Sequence, residues 1–258
     1  MEKHLLSKST FIRGDQCLKS LYLHTKRPFL RDKLSPEQLA RFRRGTKIGQ
    51  IAQKLFPGGV DLRPRSYKQY EKKLQETLDI INTGKHSVLY EAGFQYDRLL
   101  IFLDILVKEN SGWIAYEVKS SKKISRTFLL DAAFQYYVIT HAGVDLHDFY
   151  IIYVNENFTF SEPFSIDDLF VKQSVLKEIL GLQEYVEKQV AIEKEVLEYT
   201  KSPDIAPGKQ CTDPYPCDFI GHCWKKIPKE EWPVIEHPRE DFYDFVEKAL
   251  ESIADNAS

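Results

Sequence analysis

No apolar run in this sequence is long enough to cross a membrane; the most apolar stretch, Leu99 to Val107, is short and is interrupted by Asp104. The opening, MEKHLLSKSTFIRGDQC, lacks the apolar core of a secretion signal. These two absences predict a cytoplasmic protein without a membrane span. Cysteine is scarce, with four in 258 residues, and disulfides are rare in that compartment, so a disulfide scaffold is excluded. Internal repeats and low-complexity tracts are absent, and the net charge is only -2.

What is present is ordinary for a globular chain that buries a core, with 43% hydrophobic and 29% charged residues. The small total charge conceals a polarity. Residues 1–50 hold twelve Lys/Arg against four Asp/Glu, net +8, whereas residues 229–258 hold three against nine, net -6. The basic part is densest at Arg41, Arg43, Arg44 and Lys47, and it reads either as a solvated face or as a footprint for a phosphate backbone. The acidic tail is a candidate contact for a protein partner.

Hydrophobic periodicity divides the chain. A helix capped by Ser9 or Thr10 runs through Cys17 to about Leu23, and a second starts at Ser35-Pro36-Glu37-Gln38, which has the spacing of a capping box, and runs to Phe56. A third spans roughly Ser66 to Asn82. From His86 the period becomes two: SVLYEAGFQY, LLIFLDILVK and GWIAYEVKSS predict an antiparallel meander. A mostly apolar helix, Arg126 to Ala142, precedes a fourth strand, DFYIIYVNE. A helical stretch from Val171 to Tyr199, a cysteine-bearing loop from Ser202 to Trp224 and an acidic helical tail over 226–258 complete the reading. The expected fold is mixed α/β, a central sheet flanked by helices with its core at about 86–156, in one domain over 1–225.

The string Glu-x-Lys occurs twice, at Glu117-Val118-Lys119 and Glu71-Lys72-Lys73. The second lies in a helical pattern among charged neighbours. The first lies in a strand, and if the hairpin turn centres on Asn110-Ser111, opposed residues sum to 221, which puts Asp104 level with Glu117. If the preceding turn centres on Asp97-Arg98, pairs sum to 195 and Glu91 falls level with Asp104. Alternation then places Lys119 on the same face, beside Leu100, Phe102 and Ala115, and places Ile101, Leu103, Ile105, Val107, Ile114, Tyr116 and Val118 on the opposite, core face. Like charges opposed on a sheet destabilise it. Lys119 alone would leave the cluster negative, so a hard divalent cation, Mg²⁺ or Mn²⁺, is the expected compensation.

Cys17 is remote from Cys211, Cys217 and Cys223, which follow as C-x5-C-x5-C. Four cysteines in this arrangement suit one four-thiolate site, a 4Fe-4S cluster first and zinc second, because the close C-x2-C knuckles of structural zinc are missing. Such a site would clip the N-terminal helix to the C-terminal loop.

An Asp in one strand, Glu-x-Lys in the next and a following helix containing Gln135 resemble the core of PD-(D/E)XK nucleases. Together with one N-terminal and three C-terminal cysteines, the pattern is similar to the iron-sulfur RecB-type exonucleases, which include the CRISPR-associated RecB-like nuclease and the AddB nuclease domain. LSKSTFIRGDQCLKSLYL, GTKIGQIAQKLFPGG, YEAGFQYDRLLIFLDIL and DAAFQYYVITHAG further resemble a bacterial branch of that superfamily. The resemblance implies a metal-dependent deoxyribonuclease, more exonuclease than endonuclease, acting in DNA repair, recombination or CRISPR defence. It implies Asp104, Glu117, Lys119 and Gln135 as catalytic, and Glu91, Asp104, Glu117 and the Val118 carbonyl as metal ligands. Lys122, Lys123 and Arg126 join Arg41, Arg43, Arg44 and Lys47 as DNA contacts. Where relatives carry a histidine ligand the chain has Gly49 or Gln50, and Ile139 stands where a tyrosine is usual. An iron-sulfur DNA-binding or assembly module with a vestigial nuclease site is the alternative, and a zinc-clipped structural protein the third reading.

Overall fold

The computed structural model describes residues 4–110, 112–158 and 165–235. Its elements in chain order are β1 (Leu6–Ser7), α1 (Lys8–Gln16), α2 (Leu18–Lys26), α3 (Pro36–Ala52), β2 (Val60–Asp61), α4 (Tyr70–Thr83), β3 (Val88–Tyr96), β4 (Leu99–Glu109), β5 (Gly112–Lys119), α5 (Arg126–His141), β6 (Leu146–Val154), α6 (Ile166–Leu169), β7 (Phe170–Ser174), α7 (Leu176–Leu180), α8 (Gln183–Glu198) and α9 (Ile220–Cys223). The strands form one mixed sheet of seven in the order β2-β3-β4-β5-β6-β7, with β1 pairing parallel to β4 off that path. Helices flank the sheet, as the sequence predicts for an α/β chain. Among the described residues no helix is long and apolar enough to cross a membrane.

Local sequence explains several boundaries. At α3, Ser35 Oγ accepts from the Gln38 N–H at 3.2 Å, Gln38 Oε1 accepts from the Ser35 N–H at 2.8 Å, and Pro36 occupies the first turn. The helix ends at Ala52, short of Phe56, and tightens into a 3-10 turn over Gln53–Leu55. The predicted first helix is two helices, because Cys17 is extended (φ -165°, ψ 111°) and its cap is Ser7 rather than Ser9 or Thr10. That break lets α1 pack on α5 while α2 packs on α8. Ser125 caps α5 by accepting from the Phe128 N–H at 3.3 Å. The long helix expected over Val171 to Tyr199 instead begins as a strand: β7 lies antiparallel to β6 at the sheet edge, and α7 and α8 follow. Of the acidic tail, Lys229–Glu231 form a 3-10 turn, and residues 236–258 lie outside the described residues.

Both predicted registers hold. β3 and β4 pair from Val88–Val107 to Tyr96–Leu99, and β4 and β5 from Ile105–Tyr116 to Glu109–Gly112. The single core face does not. Glu91 sits in the left-handed region (φ 54°) and makes no ladder pair with Asp104, at a cost of roughly 1–2 kcal/mol for a residue with a Cβ. On one side of this level Tyr90, Ile105, Val107, Ile114 and Tyr116 pack in a smaller core with Ile48, Ile51 and Ala52 of α3. On the other side Ala92, Phe94, Ile101 and Leu103, residues of the same parity, pack in the larger core with Phe11 of α1 and with α5 and α8. The chain therefore exchanges its inward and outward faces at Glu91 and Asp104.

A third cluster of Tyr22, Leu23, Val196 and Phe219, with Cys217 and Cys223 against it, joins α2, α8 and the loop entering α9. Nearby, α1 and α8 approach so closely that a Cβ on Gly14 would lie 2.3 Å from Glu193 Cδ. Glu193 is fully buried, and burial pushes its carboxyl up to about 9, so it is neutral at pH 7, with Gln189 Nε2 donating to Oε1 at 2.9 Å.

Candidate functional site

β4 and β5 part company at the level where the faces exchange. Their last ladder pair is Ile105–Tyr116; one step further, the Val118 N–H donates to the Asp104 side chain (Oδ2, 2.7 Å) in place of a strand carbonyl. The edge of β4 thus released is taken by β1, Leu6 opposite Leu99 and Ser7 opposite Leu100. The next residue, Lys8, opens α1 and carries its ammonium into the gap.

The gap holds four carboxylates and three cations. Lys119 Nζ bonds Glu117 Oε1 at 2.7 Å and also bonds Asp131 of α5. Lys8 Nζ bonds the same Glu117 oxygen at 2.8 Å, and Gln135 Nε2 donates to Glu117 Oε2 at 2.9 Å. Arg63, just beyond β2, places Nη2 at 2.6 Å and Nε at 3.2 Å from Glu91 Oε1. Glu117 is only 2% exposed. Sequence reasoning expected Lys119 to stand alone against three acids, and the structure corrects this: Lys8 and Arg63 add two cations and Asp131 a fourth acid. Asp131 and Gln135 are one helical turn apart on the face of α5 that meets the sheet, a spacing that could have signalled the first from the second. Lys8, 109 residues from Glu117, gives no such signal.

These contacts split the acids electrostatically. Burial alone would raise Glu117, but the ammonium groups of Lys119 and Lys8 hold its carboxyl well below the usual carboxylate range. Among the described residues Asp104 has no such ion pair; burial first, and the charge of Glu117 second, push it up to about 7. Burial likewise raises Glu91 and Asp131, with Arg63 and Lys119 respectively opposing it most strongly. Burial would lower Lys119, yet Asp131 and Glu117 lift it above the usual lysine range. One carboxylate is thus firmly ionised and its neighbour is poised near neutrality, a division that accompanies acid–base or metal chemistry. The oxygen-only donor set of Asp104, Glu117 and the Val118 carbonyl suits a hard divalent cation. Among the described residues no group of three or more His, Cys, Asp or Glu converges closely enough to hold a metal ion; the carboxylates are arranged around the lysines.

The four cysteines line one small cavity together with Lys19, Ser20, Ile205 and Phe219. Cys217 Sγ lies 3.4 Å from Ser20 Oγ, and the Cys217 N–H donates to the Cys211 carbonyl at 2.8 Å. Burial pushes the Cys223 thiol up to about 11; Lys19 opposes that, and the other three cysteines add to it. The loop is clamped to the N-terminal segment by Asp218, which takes Arg13 at 2.8 Å and Arg31 at 2.5 Å, and by Asp32 Oδ2, which accepts the Gly221 N–H at 2.9 Å. The sulfurs share the lining of this cavity, but among the described residues they too do not converge closely enough to hold a metal ion. The same loop brings Tyr215 within electrostatic reach of Lys119, Asp131 and Arg41, and Gln16 Nε2 donates to its carbonyl at 2.7 Å.

The predicted DNA contacts are only partly gathered. Arg41, Arg43, Arg44 and Lys47 all lie on α3, with Arg43 and Lys47 exposed and Arg41 the one in reach of Tyr215. Lys122 and Lys123 are exposed between β5 and α5. Arg126 is 68% exposed, pairs with Asp15 at 3.6 Å and stacks over Tyr185.

A scan against protein-family models finds no match, and a search of curated proteins likewise finds none. Among solved structures the chain aligns with one described as "Crystal structure of SSO0001", covering 90% of this chain and 89% of that one, at 9% identity and a TM-score of 0.37. So distant a likeness says nothing of chemistry, and the functional reading stands on the residues.

Proposed function

We propose that the chain is a metal-dependent nuclease of the PD-(D/E)XK type that hydrolyses DNA phosphodiesters, with exonuclease action the favoured mode. The observation that carries this reading is the parting of β4 and β5, which gathers Asp104, Glu117 and Lys119 in one cluster with Gln135 of the next helix. Held by Asp104, Glu117 and the Val118 carbonyl, with Glu91 alongside, a divalent cation would supply Lewis acidity at the phosphate and a lowered pKa for attacking water. Gln135 fixes the Glu117 carboxylate, and Asp131 fixes Lys119, whose ammonium is placed to orient water or offset charge developing on the phosphate. The basic residues of α3 and of the β5–α5 connection are candidate phosphate contacts, so binding weakens as salt rises.

The thiol cavity would hold a 4Fe-4S cluster, with zinc as the alternative, and clip the N-terminal helices to the loop carrying Tyr215. A binding module with an inactive site is the second reading, favoured by the Lys8 ammonium lying against Glu117. Labelled single- and double-stranded DNA incubated with the purified chain in Mn²⁺ or in EDTA separates the two. Cleavage in Mn²⁺ that EDTA stops supports the nuclease; binding without cleavage at any Mg²⁺ or Mn²⁺ concentration supports the module. Elemental analysis for iron and zinc decides the occupant of the thiol cavity.

A further inference from the structure

Lys8 is the first residue of α1, where a positive charge opposes the helix dipole, and no acidic residue sits in that first turn to offset it. Its partner is distant: Glu117 Oε1 at 2.8 Å, the oxygen that also takes Lys119 at 2.7 Å. Two ammonium groups on one carboxylate oxygen exceed what pairing requires, since Lys119 already bridges Glu117 to Asp131. Moreover, the charge of Lys8 acts on Glu91, Asp104, Glu117 and Asp131 together, whereas Arg63 bonds Glu91 and Lys119 bonds Glu117 and Asp131. Lys8 thus touches Glu117 and acts at a distance on the other three acids. Its side chain is 29% exposed against 2% for Glu117, so it closes the solvent side of a buried carboxylate. A lysine stem is long and flexible enough to turn outward without moving α1.

We propose that Lys8 is a resident counter-cation, which holds Glu117 beside Asp104 in the metal-free protein and is released from Glu117 when a divalent cation binds there. The inference rests on the nuclease reading and adds a built-in competitor that sets metal affinity. Lys8 acts through Glu117 and is a positioning residue. It also gives a physical sense to carboxylates arranged around ammonium groups, because a cation of higher charge and oxygen preference would draw Asp104 and Glu117 toward itself.

The test uses the full chain with the thiol cavity's own group retained and freed only of Mg²⁺ and Mn²⁺, with Mn²⁺ binding followed by titration calorimetry. Lys8→Met is expected to bind Mn²⁺ roughly tenfold more tightly than the unsubstituted chain, a coupling of ordinary size, and Lys8→Arg to bind it as the unsubstituted chain does. Lys8→Met is also expected to melt at a lower temperature in EDTA and to regain that loss in saturating Mn²⁺. Should Lys8→Met not fold, the unsubstituted chain answers alone: labelling of Lys8 by an amine-reactive reagent, mapped by mass spectrometry, is expected to rise several-fold on adding Mg²⁺. Unchanged labelling, or Mn²⁺ affinity that depends on Asp104 yet is unaltered or weakened in a folded Lys8→Met, overturns the counter-cation and leaves the metal site standing. Failure of every form to bind Mn²⁺, or equal binding by Asp104→Asn, removes both.

Discussion

Glu117-Val118-Lys119 and Glu71-Lys72-Lys73 have the same spacing and opposite meanings. On β5 the side chains of residues i and i+2 share a face, so Glu117 and Lys119 meet at 2.7 Å, and the surrounding core leaves the acid 2% exposed. On α4 residues two apart point to different sides. Lys72 and Lys73 therefore turn to Glu76 instead, at 3.7 and 2.7 Å, and Lys72 is 75% exposed. A short acid-x-lysine string acquires chemistry only where the backbone period brings its ends together and burial makes each charge depend on the other.

The contrast can be broken by substitution. Lys119→Ala is expected to lower Mn²⁺-dependent cleavage on the order of 10²-fold or more, and to lower stability by about 3 kcal/mol because Asp131 and Glu117 lose a shared buried partner. Cleavage at the unsubstituted rate in a folded Lys119→Ala would sink the catalytic assignment.

Asp104→Asn is expected to abolish cleavage and yet stabilise the metal-free protein above neutrality. The folded state raises Asp104 from 3.8 to about 7, so between these values it keeps a proton that the unfolded chain has released. That contribution is complete below the lower value and declines as pH climbs to about 7. Glu117, held low, contributes with the opposite sign and loses its share as pH falls below the ordinary carboxylate range. Urea unfolding in EDTA at pH 5 and pH 8 reads the difference, and an unchanged pH slope in Asp104→Asn would refute it.

Glu193 extends the comparison to an acid buried without a cation. Raised to about 9 by burial, it weakens the fold progressively as pH rises from its ordinary value toward 9. Glu193→Gln, which keeps the shape, is expected to flatten that slope and leave cleavage unaltered. Smallest of all, Lys72→Ala and Lys73→Ala are each expected to change stability by less than about 0.5 kcal/mol and cleavage not at all; a loss matching that of Lys119→Ala would erase the distinction between the two strings.

Much of this was legible in the sequence where the signal is local. The Ser35 capping box, the strands of the meander and the two turn-centred registers each depend on neighbouring residues, and the β4–β5 pair sums hold as far as Ile105–Tyr116, one step short of the expected Asp104–Glu117 pair. Two things escaped for a common reason. The two-residue strand β1 and the salt bridge from Lys8 are decided by partners about a hundred residues away. The exchange of faces at Glu91 escaped because it adds no residue to either strand and so leaves every pair sum intact, while the left-handed turn of one residue moves its neighbours to the other core. β7 was misread because charged and polar side chains at a sheet edge resemble a solvated helix face.

The segment from Leu6 to Lys26 finds its partners downstream: Leu6 on Leu99, Lys8 on Glu117, Arg13 on Asp218 and Gln16 on the carbonyls of Gln210 and Tyr215. In a chain made from its N-terminus, the first elements to emerge must wait for nearly the last described ones before they can dock. The hairpin bearing Asp104 and Glu117 can take its lysine wedge once residue 117 is made, but the loop carrying Tyr215 arrives only when residue 218 is in place. A nascent chain stalled short of that point holds the acids and their lysines without the loop that carries Tyr215 and clamps Arg13, so order of assembly itself delays the completed centre until synthesis has passed through the cysteine loop.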